Sequence, residues 1–388
     1  MVLLWYSARE LFDSEIETKG ESMLTLLLTQ AGITINGCES WDIQVHDDRF
    51  FRRALFGGSL GLGESYMDGW WDCKRLDLFF ERIFRSEVSR IAAIMPSHLI
   101  EMVRAHLVDK GAASNSFSIG KTHYDRGNDL FVAMLGRSMA YTCGYWRRAA
   151  TLDDAQYAKL NLICRKLDLR RGNRVLDIGC GFGSYAKFAA RLYGASVTGV
   201  TVSAEQALWG TAWCEGLPVK LMVNDYRKTD GQFDHLVSIG MFEHVEPRHY
   251  KEYFAVASAR LPRGGLFLLH TIGNPGRADG PDPWIRKYIF PTGIIPTKKA
   301  IRKGIGGRFA IRDWHEFALT DYDRTLMAWN DNFQSAWPQL SAHYDERFKR
   351  MWEYYLQSCA AAFRTGRLRL WQIVLSHPGE HADLLPVR

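Results

Sequence analysis

The feature of this chain that most constrains its fold is an alternation of short apolar runs with longer helical runs after Gly172. The short runs are RVLDI, SVTGV, VKLMV, DHLVSIG and GLFLLHTI, and helical stretches such as SYAKFAARLYG stand between them. Apolar runs that alternate with amphipathic helices are typical of a parallel β-sheet with helices on both faces. The sequence therefore predicts an α/β fold for this part of the chain.

A glycine-rich turn, VLDIGCGFG, follows the first of these predicted strands directly and opens the next helix. Gly179, Gly181 and Gly183 would let the backbone approach a ligand closely, and the helix N-terminus would offer free N–H groups to an anion. Because Asp177 lies inside the motif, this strand, turn and helix indicate a nucleotide-type cofactor site. The spacing is GxGxG and not the GxGxxG of dinucleotide folds, although a dinucleotide stays an alternative.

The carboxyl ends of the predicted strands are the first places to seek a site. In open α/β sheets, ligands bind beyond those ends, which all lie along the same edge when the strands are parallel. The segments that fall there are Asp177 to Gly183, Thr201 to Gln206, Asn224 to Tyr226, Gly240 to Glu243 and His270 to Gly273.

The net charge and the cysteines indicate which partners and which cellular compartment to expect. A net charge of +6 favours an anionic surface without naming one. The basic clusters, such as KKAIRK at Lys298 to Lys303, are short and no recognition helix accompanies them, so nucleic acid is not expected as a partner. The seven cysteines form no CxxC pair, which predicts a reducing compartment and no metal site.

The first residues, MVLLWYSARELFDSEIETKGE, lack the basic and apolar regions of a secretory leader. No run elsewhere reaches the roughly 18 apolar residues of a membrane-spanning helix. We therefore expect a cytoplasmic protein that contacts a membrane only at its surface and does not cross it.

Further motifs along the chain narrow the choice of fold and activity. They are YTCGYW (Tyr141 to Trp146), HYDRGNDLF (His123 to Phe131), GVTVSAEQ (Gly199 to Gln206), SIGMFEHV (Ser238 to Val245), LLHTIG (Leu268 to Gly273), DPWIRKYIFPTG (Asp282 to Gly293), GSLGLGESYMDGWW and DYDRTLMAW (Asp321 to Trp329). With VLDIGCGFG they resemble the cyclopropane-fatty-acyl-phospholipid synthases, a family of S-adenosylmethionine-dependent transferases. The resemblance implies a Rossmann-like S-adenosylmethionine methyltransferase fold.

The resemblance also implies a site for S-adenosylmethionine. The glycine turn, with Asp177, Gly179, Cys180 and Gly181, would hold the methionine part. Other residues that match the family's cofactor site are Tyr141 and Thr142 beside the methionine, Thr201 and Gln206 along the ribose, and Asp225 and Tyr226 flanking the adenine. The family more often has a serine at the position of Thr142, and the threonine keeps the hydroxyl.

A bound bicarbonate that acts as a base is a second implication of the resemblance. The residues that match its site are Cys143, Glu243, His270, Tyr322 and the backbone of Ile272. Taken alone, each has a structural interpretation, such as a buried thiol or a hydrogen-bonded core histidine. Together they follow predicted strands or lie beside the cofactor motif, which favours a single catalytic site.

The implied reaction transfers a methylene unit from S-adenosylmethionine to the cis double bond of an unsaturated phospholipid acyl chain and forms a cyclopropane ring. An alkene is a weak nucleophile, so the methyl donor must be held in line with it. Attack leaves a carbocation, which aromatic rings stabilise and water would quench. Aromatic residues make up 13% of the chain, including 13 Trp, and they could form an ordinary core or line such a pocket. A base then removes a proton and the ring closes.

The domain organisation follows from a polar segment, GAASNS, at Gly111 to Ser116, which is typical of a linker. We expect a smaller, mainly helical, lipid-binding or accessory domain over residues 1–110, a linker over 111–120 and a catalytic domain over 121–388. The expected partner is an anionic or zwitterionic phospholipid membrane surface, reached from its inner face. The family resemblance also implies a homodimer, which would raise avidity for that surface.

Other functions stay open at this point. The same cation could lose a different proton or be reduced, giving a methyl or methylene branch, or the acceptor could be an amine or a sterol. A nicotinamide-dependent oxidoreductase would use the glycine turn for pyrophosphate, and a non-catalytic lipid-binding protein would keep the fold without turnover. The full set of site residues argues against the last of these.

Overall fold

The computed structural model describes residues 21–86, 128–276, 282–381, 383 and 385–388. These residues group into two compact units. Unit 1 contains the described residues up to 86 together with Asp282–Pro291 and Trp337–Thr365. Unit 2 contains the described residues from 128 to 276, Thr292–Ala336 and the residues from Gly366 onward. The predicted linker at 111–120 lies outside the described residues.

The regular elements are named here in chain order. The helices are α1 (21–30), α2 (Arg49–Met67, interrupted at Gly58), α3 (Leu76–Arg85), α4 (Asn128–Leu135), α5 (Leu152–Lys166), α6 (Ser184–Tyr193), α7 (Ala204–Trp213), α8 (Tyr250–Arg260), α9 (Pro283–Tyr288), α10 (Lys298–Ile305), α11 (Leu319–Leu340) and α12 (Glu346–Arg364). The strands are β1 (Ile43–Val45), β2 (Trp71–Cys73), β3 (Arg174–Ile178), β4 (Ser196–Thr201), β5 (Val219–Val223), β6 (His235–Ile239), β7 (Leu266–Gly273), β8 (Ala310–Glu316) and β9 (Arg369–Ser376).

Unit 1 has a core of aromatic rings drawn from distant parts of the chain. Trp71 is fully buried, and its ring centroid lies 5.3 Å from that of Phe79. The ring centroids of Phe80 and of Tyr354 on α12 are 4.9 Å apart. Tyr354 also lies 4.4 Å from Trp284 on α9. Residues of α9 and α12 were predicted to belong to the catalytic domain, but they share a core with the N-terminal helices. Deleting residues 1–110 would therefore expose this core.

Unit 2 is built on a seven-stranded sheet with the order β5-β4-β3-β6-β7-β9-β8. β3 to β7 are parallel, whereas β9 pairs antiparallel with both β7 and β8. The α/β fold predicted from the sequence is confirmed. The predicted parallel pairing holds for β3 to β7 but not for the two pairs that β9 makes.

Alternating residues along the strands of unit 2 build a core on each face of the sheet. On one face, Val175 and neighbouring strand residues pack on Ile163 of α5 and Tyr185 of α6. On the other, Leu176 and its neighbours pack on Phe254 of α8 and on the buried side of α10. Other parts of the chain cover both faces of the sheet. A ligand can therefore reach the backbone beyond the carboxyl ends of β3 to β7.

Two further features of the described residues complete the fold. No described helix is both long enough and apolar enough to cross a membrane. All seven cysteines lie in the described residues as free thiols.

Candidate active site

The glycine turn lies between β3 and α6, at the carboxyl edge of the sheet. The N–H groups of Gly179 and Cys180 both donate to the carbonyl of Val200 on β4, at 2.9 Å each. Gly179 and Gly181 have φ angles of +81° and +53°, which residues other than glycine rarely adopt. A Cβ atom at Gly179 would collide with Met241, whereas one at Gly181 would meet no described atom within 4 Å. Gly181 therefore borders open space, as a ligand-binding turn requires.

A buried pair of opposite charges lies beside this turn. Asp177, at the end of β3, is almost fully buried, and burial raises the pKa of its carboxyl to about 7 against the opposing effect of Lys159. Burial also lowers the pKa of Lys159, on α5, to about 8. Lys159 is only 1% exposed, and its Nζ donates to Thr142 Oγ1 at 2.9 Å. This lysine was not predicted, and it links the glycine turn to the loop that carries Thr142.

The loop of residues 139–146 is held against the turn and against α5. Ser184 Oγ, at the start of α6, donates to the carbonyl of Met139 at 2.8 Å. Gln156 Nε2, one turn before Lys159 on α5, donates to the carbonyl of Thr142 at 2.8 Å. Gln156 and Lys159 of α5 thus hold Thr142 in place, and neither was among the predicted site residues.

Aromatic rings line the same part of unit 2. The ring of Tyr141 lies 5.4 Å from that of Phe131 and 5.3 Å from that of Trp329 on α11. Trp329 in turn lies 6.2 Å from Tyr322, edge to face. The rings therefore connect a predicted cofactor residue, Tyr141, with a predicted anion-site residue, Tyr322.

The residues predicted to contact the nucleoside follow the ends of β4 and β5. Thr201 Oγ1 donates to Gln206 Oε1 at 3.1 Å, across the start of α7. The carboxylate of Asp225 accepts hydrogen bonds from Arg227, which lower its pKa. The ring of Tyr226 packs on a neighbouring tyrosine and is half-buried. Since β3, β4 and β5 are parallel neighbours, these residues lie along the same sheet edge as the glycine turn.

Glu243 follows β6 in a short helical turn and is buried. Its Oε1 accepts the backbone N–H of Ile272 at 2.7 Å, whereas Oε2 has no hydrogen-bond partner among the described residues. Burial raises the pKa of this carboxyl to about 7, although the hydrogen bond from Ile272 opposes the rise. The backbone of Ile272, predicted to hold an anion, thus already serves to orient Glu243.

His270 precedes Ile272 by two residues on β7, so both side chains lie on the same face of the sheet. Its Nδ1 lies 3.2 Å from Gln372 Nε2 on β9, and its Nε2 has no partner in the described part of the chain. Burial lowers the pKa of His270 well below its usual value, and the nearby ammonium groups of Lys159 and Lys166 lower it further. The imidazole is therefore neutral at physiological pH.

The remaining members of the predicted anion site meet around Phe317. Cys143 is fully buried and packs in one cluster with Phe317, against which Ile272 and Tyr322 also pack. The ring of His270 lies 5.7 Å from that of Phe317. Burial raises the pKa of the Cys143 thiol well above its usual value, so the thiol stays protonated. The structure therefore brings Cys143, Ile272, Tyr322 and His270 together, and Glu243 joins them through Ile272.

This arrangement can hold a small anion and exclude water. It offers a neutral imidazole beside one carboxylate that titrates near neutral pH, and the Cys143 thiol, which donates to the carbonyl of Gly144 at 3.1 Å, lies next to them. Within residues 21–86, 128–276 and 282–381, no group of three or more His, Cys, Asp or Glu side chains is arranged to hold a metal ion. The chemistry that the set supports is the positioning of an anion and the movement of a proton.

Comparison with known proteins gives one consistent family. The model of the mycolic acid cyclopropane synthetase family matches residues 112–373. The cyclopropane-fatty-acyl-phospholipid synthase of Escherichia coli (strain K12) is 49% identical over 358 residues, which cover 92% of this chain and 93% of that protein. The solved cyclopropane synthase MmaA2 from Mycobacterium tuberculosis is 30% identical, with a TM-score of 0.62, and the match covers 67% of this chain and 97% of that one. The mycolic acid cyclopropane synthase CmaA1, solved with SAH and CTAB, is 28% identical, with a TM-score of 0.61 and the same coverage.

These matches confirm the resemblance inferred from the motifs. They include most of unit 2, where the glycine turn and the anion-site candidates lie. The chain belongs to the mycolic acid cyclopropane synthetase family and is an S-adenosylmethionine-dependent enzyme of the methyltransferase class.

Proposed function

We propose that this enzyme transfers a methylene unit from S-adenosylmethionine to the cis double bond of an unsaturated phospholipid acyl chain, forming a cyclopropane ring with bound bicarbonate as the base. The observation that carries the proposal is a pair of buried polar atoms, Glu243 Oε2 and His270 Nε2, that lack partners among the described residues. Leaving a buried polar atom unsatisfied is costly. The ring of His270 contacts Phe317, and Glu243 accepts the N–H of Ile272, which packs on the same cluster, so we infer that one small polar ligand bound there satisfies both.

The residues present fit S-adenosylmethionine, which supplies an electrophilic methyl group when it is bound. Gly181 borders open space at a positive φ angle, so the backbone can approach the ligand where a side chain could not. Tyr141 and Thr142 would lie beside the methionine part, and Thr201 and Gln206 beside the ribose. Asp225 and Tyr226 would flank the adenine, with Arg227 fixing the position of the Asp225 carboxylate.

The aromatic residues near the site suit a cationic intermediate on the acyl chain. Tyr141, Trp329 and Tyr322 form a connected series of rings, and Trp329 is 1% exposed. Ring faces attract a cation without forming a bond to it. Because the neighbouring polar groups are buried, water that would capture the cation is kept out.

Ring closure requires that the new methyl group lose a proton, and the anion-site residues are suited to hold the base. The thiol of Cys143 and the imidazole of His270 are neutral and can donate hydrogen bonds, and ionised Glu243 can accept the proton of bicarbonate and so orient it. An ionised carboxylate beside an anion is unfavourable by itself. The buried ammonium of Lys159 acts electrostatically on both Cys143 and His270 and would attract an anion bound beside them.

Product analysis tests the proposed reaction. The purified protein is incubated with S-adenosylmethionine carrying a labelled methyl group and with vesicles of a cis-unsaturated phospholipid, and the acyl chains are analysed by mass. We expect a labelled product heavier by one CH₂ unit that resists hydrogenation under conditions that saturate alkenes. Vesicles of the saturated phospholipid are the control and should acquire no label. A methyl-branched or methylene product, or oxidation linked to NAD(P)H, would contradict the proposal.

A basic helix supports the proposal that the enzyme works at a phospholipid surface. In α10, Ile301 and Ile305 are buried, whereas Lys299, Arg302 and Lys303 are exposed. Lys298 forms an ion pair with Glu316 at 3.1 Å, and its charge is therefore partly compensated. The exposed side of α10 thus presents a compact positive patch, which anionic headgroups attract. Location at the inner face of the membrane, a zwitterionic surface as an alternative and a homodimer stay predictions.

Reversing the charge of this patch should weaken vesicle binding. We expect Lys299→Glu/Lys303→Glu to lose about tenfold or more in affinity for anionic phosphatidylglycerol vesicles at low salt, since each basic residue near such a surface contributes about 1 kcal/mol. Wild-type binding should weaken as salt rises. Arg171→Glu/Lys220→Glu, which changes two exposed basic residues elsewhere in unit 2, is the matched control for net charge. Equal flotation of the α10 variant and the wild type would exclude the patch.

A further inference from the structure

The strand pairing of the sheet sets a buried amide directly opposite His270. His270 on β7 and Gln372 on β9 are Cα partners in the antiparallel ladder, so their side chains lie on the same face. Gln372 is 0% exposed and His270 is 1% exposed. The distance of 3.2 Å between Gln372 Nε2 and His270 Nδ1 is that of a hydrogen bond.

The chemistry of the amide decides which way this hydrogen bond runs. A side-chain amide nitrogen carries two hydrogens and cannot accept a hydrogen bond. With the amide oriented this way, Gln372 Nε2 is the donor and His270 Nδ1 the acceptor, and Gln372 Oε1 has no partner among the described residues. In a neutral imidazole one ring nitrogen accepts and the other carries the proton, so the proton of His270 is on Nε2. That is the nitrogen without a partner among the described residues.

We propose that Gln372 is a positioning residue that holds His270 in its Nε2–H tautomer, so that the imidazole presents a hydrogen-bond donor to the anion in the catalytic site. This inference rests on the proposed function for the identity of the anion, but not for the tautomer itself. An imidazole in the other tautomer would present a lone pair to the anion and repel it. The orientation of one amide thus decides whether His270 binds or rejects an anionic base.

The neighbours of His270 do not offer another donor to its Nδ1. Phe317 contacts the ring edge to face. His315, the partner of Gln372 on β8, has its own Nδ1 within 3.1 Å of the ammonium of Lys166. Lys166 also donates to Asp313 at 3.1 Å. The charges near His270 therefore keep it neutral, while Gln372 alone, among the described residues, makes a hydrogen bond with the ring.

Nitrogen NMR of protein labelled in the imidazole rings reads the tautomer directly. The His270 signals are assigned by their absence in His270→Asn. We expect the wild type to show the Nε2–H tautomer, with Nδ1 shifted as an acceptor. In Gln372→Met, which has a similar length but no donor, the preference should be lost. In Gln372→Glu, whose carboxylate can only accept when ionised, the proton should move to Nδ1.

Kinetics separate this role from a general loss of structure. We expect Gln372→Met to lower kcat about 10- to 100-fold, the scale seen when a residue that orients an active-site histidine is lost, and to raise the bicarbonate concentration needed for half-maximal rate. SAH affinity should change less than about twofold, because the cofactor residues are untouched. Ser376→Ala, which removes another buried hydrogen-bonding group from β9, is the control and should leave tautomer and bicarbonate dependence unchanged.

The two readouts distinguish failure of this inference from failure of the proposed function. A wild-type Nδ1–H tautomer overturns the role of Gln372 even if the variants fail to fold, because that measurement needs no variant. A normal rate in a Gln372→Met protein whose tautomer has shifted overturns it as well. A wild-type enzyme that forms no cyclopropane or ignores bicarbonate contradicts the proposed function, and the NMR measurement still decides whether Gln372 sets the tautomer.

Discussion

Replacing Glu243 with glutamine is expected to lower cyclopropane formation about 100-fold or more while SAH affinity changes little, the scale typical for loss of a general base. The amide keeps an oxygen that can accept the N–H of Ile272, as Glu243 Oε1 does now at 2.7 Å. It loses the charge that would fix the proton of the bound anion. In the proposed site, the methyl donor binds at the glycine turn, so its binding should survive.

The pH dependence gives an independent check on this assignment. Because the pKa of Glu243 is raised to about 7, the ionised form that the proposed mechanism requires predominates only above that pH. The wild-type rate should therefore fall as pH decreases through about 7, and the Glu243→Gln rate should lack this dependence. Glu246→Gln, a change at a half-exposed glutamate in the following turn, is the matched control and should retain the wild-type profile.

Stability measurements separate loss of the base from loss of the fold. A carboxyl whose pKa is higher in the folded protein than in the unfolded chain contributes stability below the unfolded pKa, and that contribution is lost as pH rises through the folded pKa. A rise from 4.5 to about 7 corresponds to roughly 3 kcal/mol. At pH 8 the glutamine variant should therefore unfold at the same or a higher temperature than the wild type.

Bicarbonate supplies the decisive comparison for Glu243. Removing it by degassing should lower the wild-type rate, and adding it back should restore that rate, while Glu243→Gln should respond much less. A wild-type enzyme that does not respond to bicarbonate, or a variant with near-normal turnover, would exclude Glu243 as the residue that orients a base. The family membership would be unaffected.

Replacing Gly181 with valine is expected to abolish SAH binding measured by calorimetry. A Cβ at this position meets no described atom within 4 Å, so a side chain there enters the space left for a ligand and not the protein core. The φ angle of +53° adds backbone strain of about 1 to 3 kcal/mol for a β-branched residue.

The control for Gly181 must carry the same strain without touching the site. Gly216 has a φ angle of +77° and an equally open Cβ position beyond the end of α7. Gly216→Val should therefore lose stability but bind SAH like the wild type. If folded Gly181→Val binds SAH with unchanged affinity, the cofactor does not lie at this turn.

Sequence reasoning succeeded where one local pattern determines the structure. The run VLDIGCGFG forms β3, the glycine turn and the start of α6, because a buried strand followed by glycines has few other conformations. The direction of β8 and β9 was not predicted. β9 is buried on both faces, and such a strand has the same apolar pattern whether it runs parallel or antiparallel to its neighbour. β8 is only partly buried, and for both strands long-range pairing decides the direction.

The sequence predicted only those residues of the candidate site that lie in recognisable motifs. Glu243, His270 and Cys143 follow strands or accompany the cofactor motif, and the structure brings them together. Lys159 and Gln156 were missed because they lie on the buried face of α5 among apolar residues, where a polar residue is the signal to look for. Gln372 was missed because it lies inside an apolar strand, and its partner His270 is set by register across the sheet.

The domain boundary illustrates a different limit. A polar stretch such as GAASNS marks where a linker can occur, and the prediction of a boundary at 110 assumes that each domain is one continuous piece of chain. In unit 1, however, Tyr354 and Trp284 pack with residues from the N-terminal helices. Packing between segments so far apart in sequence leaves no local signal.

The position of β9 affects how the chain folds while it is being synthesised. β7 and β8 precede β9 along the chain, yet β9 lies between them in the sheet. Until β9 has left the ribosome, the edge of β7 that will receive it has no partner strand, and an unpaired apolar edge is a template for pairing with other chains. Nascent chains that have passed β8 but not β9 therefore expose an edge that favours aggregation, and the strand that covers this edge also carries Gln372.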